Sequence, residues 1–385
     1  MNLEAIQTAL RDQHLDGWLF YDHHHRDPIA YRILGLRDSL HASRRWYYLI
    51  PAEGQPRKLT HRIESKNLAP LPGSGALYSS WQELEGGLRA MLEPYKTLAM
   101  QYSPRNAIMY VSLVDAGTIE LLREMGKTIV SSADLVSRFE AVLTPEQIAT
   151  HYQAQRVIDQ IVREAWKYIA AGARNEYEVM VWLREAMRRA GIADGYGPNV
   201  SVNENSSDSH YEPTAASSRP IKQGDFLLID IWGRMTHSSD SCYYDITWTG
   251  VVGREPTDRE HQVFSLVTQA RDAAIKLVQN AFASSQPIKG WQADDAARTV
   301  IRDAGFGDYF THRTGHSISY ETHGNGANLD NLETHDERLI LPYTCFSVEP
   351  GIYLPEFGIR SEINMLTEPG RAIVTGPLQT DLVRI

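Results

Sequence analysis

Two acidic residues follow strand-like stretches in the C-terminal half of this 385-residue chain. The apolar residues 227–229 lead to Asp230, and residues 242–244 lead to Asp245. Each acid takes a place where the pattern of a buried strand calls for an apolar side chain. An ionised carboxylate inside a sheet is costly unless it is paired or bound to a metal ion. The two acids therefore predict a partner of positive charge.

The C-terminal third supplies further residues of metal-binding type. His316 lies in "THRTGHSISYETHGNG", and Glu349 and Glu362 lie in the β-rich stretch "CFSVEPGIYLPEFGIRSEINM". One imidazole and four carboxylates form an oxygen-rich set that suits two hard or borderline divalent ions. Two such ions, about 3.5–4 Å apart, can hold a hydroxide between them as a nucleophile at neutral pH. The sequence predicts such a dinuclear centre with five ligands: Asp230, Asp245, His316, Glu349 and Glu362.

Each of these residues, taken alone, also has a simpler explanation. An aspartate at the end of a strand can cap a turn, Glu349 before Pro350 can open one, and His316 can be a hydrogen-bonded core histidine. The histidine tract 23–25 is eye-catching, but three successive side chains cannot all point one way, so a loop is the simpler explanation. A contact between this tract and the pocket of a neighbouring subunit is the weaker alternative.

The elements that must position these residues fall into two domains. Residues 1–140 alternate helical patterns, around 3–10, 81–95 and 113–126, with the strand-like runs "GWLFYD", "RWYYLIP" and "LAMQYSP". This alternation is typical of an α/β domain. A domain boundary is predicted at "VLTPEQ", because Thr144 can cap a helix, Pro145 suits its first position and Gln147 completes a capping box.

Residues 145–385 mix long helices with strands and predict an α+β domain. The helical patterns cover about 145–166, 175–191, 257–280 and 291–304. Strand-like runs rich in Val, Ile, Tyr and Phe occupy 225–232, 242–249, 316–322, 344–354 and 359–366.

Composition excludes several classes of partner. The net charge is −10 and the pI is near 5.8, so neither a nucleic acid nor an anionic membrane is expected to bind. The N-terminus has acids and an arginine inside its apolar stretch and does not resemble a signal peptide. Two cysteines make no disulfide framework. We therefore expect a soluble cytoplasmic protein.

The site motifs resemble those of the proline-specific metallopeptidases in the methionine aminopeptidase, prolidase and creatinase superfamily (M24). "GDFLLID" and "DITWT" match its aspartate strands, "TGHSIS" its histidine segment, and "SVEPGIY" and "IRSEI" its glutamate segments. The resemblance covers nearly the whole chain. It implies an α+β protein in which a C-terminal pita-bread domain (145–385) follows a smaller creatinase-type α/β domain (1–140).

The resemblance also implies how the ligands are shared. In such enzymes the first aspartate binds one ion, the histidine and the first glutamate bind the other, and the second aspartate and last glutamate bridge both. By this pattern Asp230 would bind one ion, and His316 and Glu349 would bind the other. Asp245 and Glu362 would bridge both ions. Manganese is the expected metal, with cobalt or zinc as alternatives. Relatives of this type are usually homodimers or homotetramers, and we expect the same here.

Four residues outside the ligand set match substrate-side positions of the family. His210 in "SDSHYEPTA" and His323 match its two substrate-side histidines, and His312 and Arg360 are typical of the proline-cleaving branch. We expect His210 or His323 to stabilise the oxyanion, and Glu349 to carry a proton to the leaving nitrogen. Arg360 and His312 would orient the last glutamate or the proline end of the substrate.

Three departures from the family pattern concern the geometry of the site. Asp230 and Asp245 are 15 residues apart, four more than the pattern has, so the turn between them must lengthen. Asp240 competes for the second aspartate position, but it lies in a serine-rich stretch. Trp248 replaces the usual arginine of that strand, and Gly324 replaces an acid after the second histidine.

The predicted function is dinuclear-metal hydrolysis of the bond between an N-terminal residue and proline, as an Xaa-Pro dipeptidase or aminopeptidase. Two alternatives remain open at this point: a metal-free C–N hydrolase like creatinase, and a non-catalytic peptide-binding module on the same fold. A helical zinc hydrolase is not indicated, because "HRTGH" lacks the glutamate of that motif and contains glycine.

Overall fold

The computed structural model describes residues 1–37, 39–193, 195 and 197–385. They form two compact units, Met1–Glu140 and Ala141–Ile385. Each unit has apolar clusters of its own. None of the helices in these described parts combines the length and apolar character needed to cross a bilayer.

The N-terminal unit is built on one mixed sheet. Its strands are β1 (Gly17–Asp22), β2 (Trp46–Pro51), β3 (Arg57–His61), β4 (Ser74–Tyr78), β5 (Thr97–Met100) and β6 (Thr128–Ser131). Its helices are α1 (Leu3–Asp12), α2 (Pro28–Leu34), α3 (Trp81–Leu92), α4 (Ala116–Glu124) and α5 (Ala133–Val136). The strand order is β4-β3-β2-β1-β5-β6, and every residue of the central β1 and β2 is buried. Burial on both faces explains why these strands read as continuous apolar runs instead of alternating ones.

The described residues of the C-terminal unit form two helix pairs and three sheets. Its helices are α6 (Pro145–Ala170), α7 (Glu176–Arg189), α8 (Asp258–Ala283) and α9 (Gly290–Asp303). Its strands are β7 (Ile192–Ala193), β8 (Asn199–Val202), β9 (Phe226–Met235), β10 (Tyr244–Val251), β11 (Ser317–Ile318), β12 (Cys345–Val348), β13 (Gly351–Tyr353), β14 (Gly358–Arg360), β15 (Ile363–Glu368), β16 (Arg371–Thr375) and β17 (Val383–Arg384).

The sheets carry the site, and the helices cover them. One sheet has the order β17-β10-β9-β7 with β8 paired to β9, a second has the order β11-β12-β15-β16, and β13 pairs with β14. Apolar residues of α6 and α7 form a core with β8, β9 and β10. Those of α8 and α9 form a core with β12, β13, β14 and β15. Burial of these faces holds the strands in place.

Helix α6 begins as the sequence predicts. The Thr144 hydroxyl accepts a hydrogen bond from the Gln147 backbone N–H (3.2 Å), and the Gln147 side chain accepts one from the Thr144 N–H (2.9 Å). Pro145 occupies the first helical position. The capping box therefore sets the start of the helix by satisfying backbone donors that a helix leaves free.

The β9–β10 hairpin places both aspartates in its paired part and leaves the connection outside it. The two strands are antiparallel, with Thr247 opposite Asp230 and Asp245 opposite Trp232. The connection 236–243 lies outside both strands. The pairing register, and not the length of the connection, therefore fixes the face on which each aspartate lies.

The predicted strands differ from the structure in detail. The strand predicted over 225–232 continues to Met235 as β9, with Asp230 in its middle. The run 344–354 is broken between β12 and β13 at Glu349 and Pro350, because proline has no N–H for the ladder. The run 316–322 is a strand only over Ser317–Ile318, and Glu362 lies in the gap between β14 and β15.

Candidate metal centre

The two hairpin aspartates face the same side of their sheet. Thr247 is directly opposite Asp230, and Asp245 is two residues from Thr247 on the same strand, so the three side chains share one face. All three are buried. The competing Asp240 is exposed in the connection between the strands. The hairpin therefore presents Asp230 and Asp245 together.

Three of the five predicted ligands converge most closely. One ligand atom from each of Asp245, His316 and Glu362 lies within 4.8 Å of the other two, and all three residues are buried. His316 Nε2 is 3.7 Å from Asp245 Oδ2 and 3.3 Å from Glu349 Oε1. Glu349 is the more open member, with 12% of its side chain exposed. Glu349 and Glu362, which lie in the two strand breaks, and the segment that carries His316 are therefore next to the β9–β10 hairpin.

Asp230 joins this group through a hydroxyl and a guanidinium. Thr247 Oγ1 lies 3.0 Å from Asp230 Oδ1 and 2.7 Å from Glu362 Oε2. Arg360 pairs with Asp230, and its Nε lies 4.0 Å from carboxylate oxygens of both Glu349 and Glu362. Arg360 also donates to Thr247 Oγ1 at 2.9 Å. The guanidinium is therefore the cation that lies among the four acids.

The centre has more negative charge than its own cations balance. Burial raises the pKa of Asp245 well above its usual range, and the charges of Asp230 and Glu349 raise it further. Burial and the neighbouring Asp245 do the same to Glu362. Asp245 Oδ1 is buried without a hydrogen-bond partner. A buried carboxylate that lacks donors and sits beside other carboxylates is stabilised by a divalent cation, so these residues fit a metal ion.

His316 is held in the form that binds metals. Its Nδ1 donates to the Ser317 backbone carbonyl at 3.2 Å, which leaves Nε2 facing the carboxylates. Burial, reinforced by the positive charge of Arg313, lowers the pKa of His316 to about 3. The ring is therefore neutral at ordinary pH, and its Nε2 lone pair is available.

Two neighbouring side chains fix the ligands, and the sequence did not single them out. Asn364 Oδ1 accepts a hydrogen bond from the Asp245 backbone N–H at 2.9 Å, and Asn364 Nδ2 donates one to the Asp245 backbone carbonyl at 2.8 Å. Ser347 Oγ accepts from the His316 backbone N–H and donates to Glu349 Oε1, both at 3.0 Å. Their spacing from the predicted ligands is the signal that could have found them. Ser347 is two residues from Glu349, and Asn364 is two residues from Glu362. Thr247 is likewise two residues from Asp245.

The predicted substrate-side histidines lie at different depths. The rings of His323 and His316 are 4.3 Å apart between centroids, although the segment that joins them is mostly a loop and not the predicted strand. The adjacent His316, together with burial, lowers the pKa of His323 to about 3. His312 is half-buried and its Nε2 is 2.7 Å from the Tyr353 hydroxyl. His210 is exposed on a loop.

That loop is anchored by a buried acid at the start of α7. Glu176 accepts hydrogen bonds from Val202 N (2.7 Å), the Tyr211 hydroxyl (2.8 Å) and Arg219 N (2.7 Å). Tyr211 also lines a small cleft beside Asp230 and Arg360. The loop that carries His210 is therefore tied down next to the acids.

The histidine tract of the N-terminal unit is a loop held by a neighbouring aspartate. Residues 23–25 form a loop, as the sequence predicts, and His24 and His25 adopt a left-handed backbone conformation. Asp22 holds the loop by accepting from the backbone N–H of His25 and Arg26. Within the described residues the tract belongs to no group of three or more potential metal ligands.

Comparison with known proteins agrees with this geometry. Residues 149–369 match the model of "Metallopeptidase family M24", which is more than half of the chain. The chain is 28% identical over 245 residues to an Xaa-Pro dipeptidase of Pyrococcus furiosus, covering 63% of this chain and 65% of that protein. It is also 28% identical over 335 residues to a probable dipeptidase PepE of Mycobacterium bovis, covering 85% and 82% of the two chains.

A solved structure shows the same fold over nearly the full length. The dipeptidase PepE from Mycobacterium ulcerans superposes with a TM-score of 0.71 at 22% identity, covering 99% of this chain and 96% of that one. The predicted fold class, a pita-bread domain preceded by a smaller α/β domain, is confirmed. The chain therefore belongs to metallopeptidase family M24.

Proposed function

We propose that this protein hydrolyses the peptide bond between an N-terminal residue and proline, with Xaa-Pro dipeptides as its main substrates. The observation that carries the proposal is the convergence of Asp245, His316, Glu349 and Glu362 in a centre short of positive charge. The relatives support the substrate class, since one is named an Xaa-Pro dipeptidase and another a probable dipeptidase.

The metal in this proposal is a pair of divalent ions, with manganese favoured and cobalt or zinc as alternatives. Their ligands would be Asp230, Asp245, His316, Glu349 and Glu362. When bound, such ions acidify a water molecule and polarise the scissile carbonyl. Arg360 now contacts Asp230, so the guanidinium would have to share that carboxylate with a cation or turn away from it.

Glu349 is suited to move the proton. It is the most exposed of the acids that face His316, and Ser347 holds its Oε1 from one side. A carboxylate in that position can accept a proton from water and deliver it to the proline nitrogen as the C–N bond breaks. The proline nitrogen leaves as a secondary amine, so it must gain one proton from the protein or solvent as the bond breaks.

His323 is placed to stabilise the negative charge that develops on the carbonyl oxygen. Its ring packs on His316 and is neutral at ordinary pH, so it can offer one N–H as a donor. One well-placed donor of this kind is worth about 2.7–4 kcal/mol in the transition state. His210, on the loop anchored by Glu176, is the second donor proposed for the same region.

Arg360 and His312 provide the recognition of the proline end. Both contact Tyr353, whose hydroxyl is 2.7 Å from His312 Nε2 and is hydrogen-bonded to Arg360. A dipeptide has a free carboxylate next to the proline ring, and a guanidinium pairs well with a carboxylate. We assign this pair to the substrate carboxylate and to the orientation of Glu362, from which Arg360 Nε is 4.0 Å away.

Three further parts of the proposal concern the chain as a whole. Residues 1–140 would be a creatinase-type N-terminal domain and residues 145–385 the catalytic domain. The active form would be a homodimer or homotetramer. Both cysteines are free, which suits a cytoplasmic location.

The direct test is hydrolysis of Xaa-Pro and Xaa-Pro-Yaa peptides by chelator-treated protein, with and without added manganese. We expect no activity after chelation and recovery with manganese, with Xaa-Pro cleaved faster than Xaa-Pro-Yaa. An Xaa-Ala dipeptide is the matched control for proline specificity. Preference for Xaa-Pro-Yaa would instead indicate an aminopeptidase.

The same assay separates the rival functions. A metal-free C–N hydrolase would hold no divalent ion in the acidic centre and cleave no peptide. A peptide-binding module would bind Xaa-Pro peptides in calorimetry without releasing proline. Either outcome would contradict the proposal.

A further inference from the structure

A second cluster of potential ligands lies in the core of the C-terminal unit, apart from the acidic centre. It consists of His151 on α6, Cys242 before β10, and Cys345 on β12. One ligand atom from each lies within 4.8 Å of the other two, and all three residues are fully buried. Both cysteines are free. Two thiols and an imidazole are soft and borderline ligands, unlike the oxygens of the acidic centre.

The imidazole of this cluster already has the hydrogen bond that metal-binding histidines need. His151 Nδ1 donates to the Tyr243 backbone carbonyl at 2.6 Å, so the neutral ring has its lone pair on Nε2. Nε2 accepts from the Thr375 hydroxyl at 2.8 Å. That hydroxyl has a second acceptor, the Asn364 carbonyl at 3.4 Å. Thr375 can therefore release Nε2 without losing its own partner.

The distances are close to those of a zinc site. Cys345 Sγ lies 4.0 Å from His151 Nε2, whereas tetrahedral zinc places a sulfur and a nitrogen ligand about 3.6 Å apart. The sulfur–sulfur separation in such a site is about 3.8 Å, and here it is at most 4.8 Å.

We propose that His151, Cys242 and Cys345 bind one zinc ion, which is distinct from the metals of the acidic centre. Binding releases the two thiol protons and gives a neutral unit of one Zn²⁺ and two thiolates. A monovalent copper ion would leave one net negative charge in the core, and burying an uncompensated charge is costly. Charge balance therefore favours a divalent ion over monovalent copper, and zinc is the divalent ion that thiolate and imidazole ligands commonly bind.

The position of the cluster gives the ion a structural role. Cys242 is three residues before Asp245, and Cys345 is four residues before Glu349. His151 comes from α6, which packs on the sheet of β9 and β10. One ion would thus join the helix to both segments that lead to the acidic centre.

The first experiment uses the wild-type full chain loaded with Co²⁺ in place of zinc. Thiolate ligands give an intense thiolate-to-cobalt charge-transfer band in the near ultraviolet, which an oxygen and nitrogen centre cannot give. We expect this band at one equivalent of cobalt per chain bound at the cluster. Absence of the band in reduced wild-type protein would overturn the proposal, and so would a disulfide between the two cysteines in protein purified without reductant.

Matched variants assign the band to its residues. In Cys242→Ser/Cys345→Ser we expect loss of the band and of one zinc ion per chain, measured by elemental analysis, while the acidic centre keeps its metals. Asp230→Asn/Glu362→Gln should keep the band and lose metal from the acidic centre. Thr375→Val, which removes only the competing hydroxyl, should keep the band. Equal zinc content in wild type and the cysteine double variant would contradict the assignment.

Discussion

Two buried aspartates in the two units of this protein have opposite surroundings. Asp22 in the N-terminal unit is 1% exposed and accepts four hydrogen bonds, from the backbone N–H groups of residues 25–27 and the Tyr31 hydroxyl. Asp245 in the C-terminal unit is 4% exposed, and its Oδ1 has no partner. A buried acid that organises a loop is surrounded by donors, whereas a buried acid surrounded by other acids marks a site for a cation.

Asp27 lies between these extremes and shows what a missing donor does. Its Oδ1 caps helix α2 by accepting from Ala30 N at 2.9 Å, while its Oδ2 is buried without a partner. Burial raises the pKa of Asp27 from 3.8 to about 7. Burial, with a single donor to offset it, therefore makes Asp27 retain its proton near neutral pH.

The largest expected effect comes from Asp245→Asn. Loss of a ligand shared by both proposed ions should reduce kcat/KM for an Xaa-Pro dipeptide by about 10³-fold, since metal activation supplies several kcal/mol. Removing one of four crowded acids should at the same time raise the unfolding free energy of the metal-free protein, by about 1–2 kcal/mol. Kinetics with saturating manganese and urea denaturation in chelator measure the two effects. Lower stability of metal-free Asp245→Asn would contradict the comparison.

Asp27→Asn should change how stability depends on pH. The folded state holds the Asp27 proton more tightly than the unfolded state between about pH 4 and 7, so wild-type stability falls as pH rises through that window. The asparagine keeps the helix cap and has no such dependence. Between pH 4 and pH 8, we expect the unfolding free energy of the variant to rise by about 2–3 kcal/mol relative to that of the wild type. This figure is the shift of about three pKa units converted to free energy and reduced for relaxation of the protein around the charged carboxylate. Parallel urea curves at both pH values check this. A constant difference between the two proteins would show that Asp27 titrates normally.

Asp22→Asn should change the unfolding free energy in the opposite direction to Asp245→Asn. The amide presents an N–H₂ group to donors that now bind a carboxylate oxygen, so stability should fall by about 2 kcal/mol at pH 8. Urea denaturation with and without chelator gives the result. The decrease should be the same in both conditions because no metal is involved, and a stabilised Asp22→Asn would remove the distinction between the two kinds of acid.

Asn364→Leu should have the smallest of these effects. It removes the two hydrogen bonds that hold the Asp245 backbone but leaves every proposed ligand in place. Loss of such support typically costs about 10–100-fold in metal affinity or activity, and we expect the lower end here. Asn364→Asp, which keeps the acceptor for the Asp245 N–H, is the matched control and should lose less. The manganese dependence of activity distinguishes weaker metal binding from a change in substrate binding.

The sequence predicted what depends on residue type and local spacing. The capping box at Thr144, the α6 helix and the apolar strands of the N-terminal unit could be predicted because local hydrogen bonds and burial specify them. The four candidate carboxylate ligands could be singled out because a carboxylate in an apolar, strand-like run is costly. The comparison with family M24 agrees with the motifs in which they lie.

What the sequence did not predict depends on contacts between distant segments. The support of Asp245 by Asn364 joins positions 119 apart, and the contact of Cys345 with His151 joins positions 194 apart. The ion pair between Arg360 and Asp230 is a tertiary contact of the same kind. No local pattern encodes such pairs, since they arise only when separate sheets and helices pack together.

The most direct measurement is an anomalous difference map from crystals of the wild-type protein soaked in manganese. We predict two peaks about 3.5–4 Å apart, both within bonding distance of Asp245 and Glu362, with one beside Asp230 and the other beside His316 and Glu349. A map without peaks, with Arg360 still paired to Asp230 and Asp245 Oδ1 still without a partner, would contradict a metal-dependent peptidase.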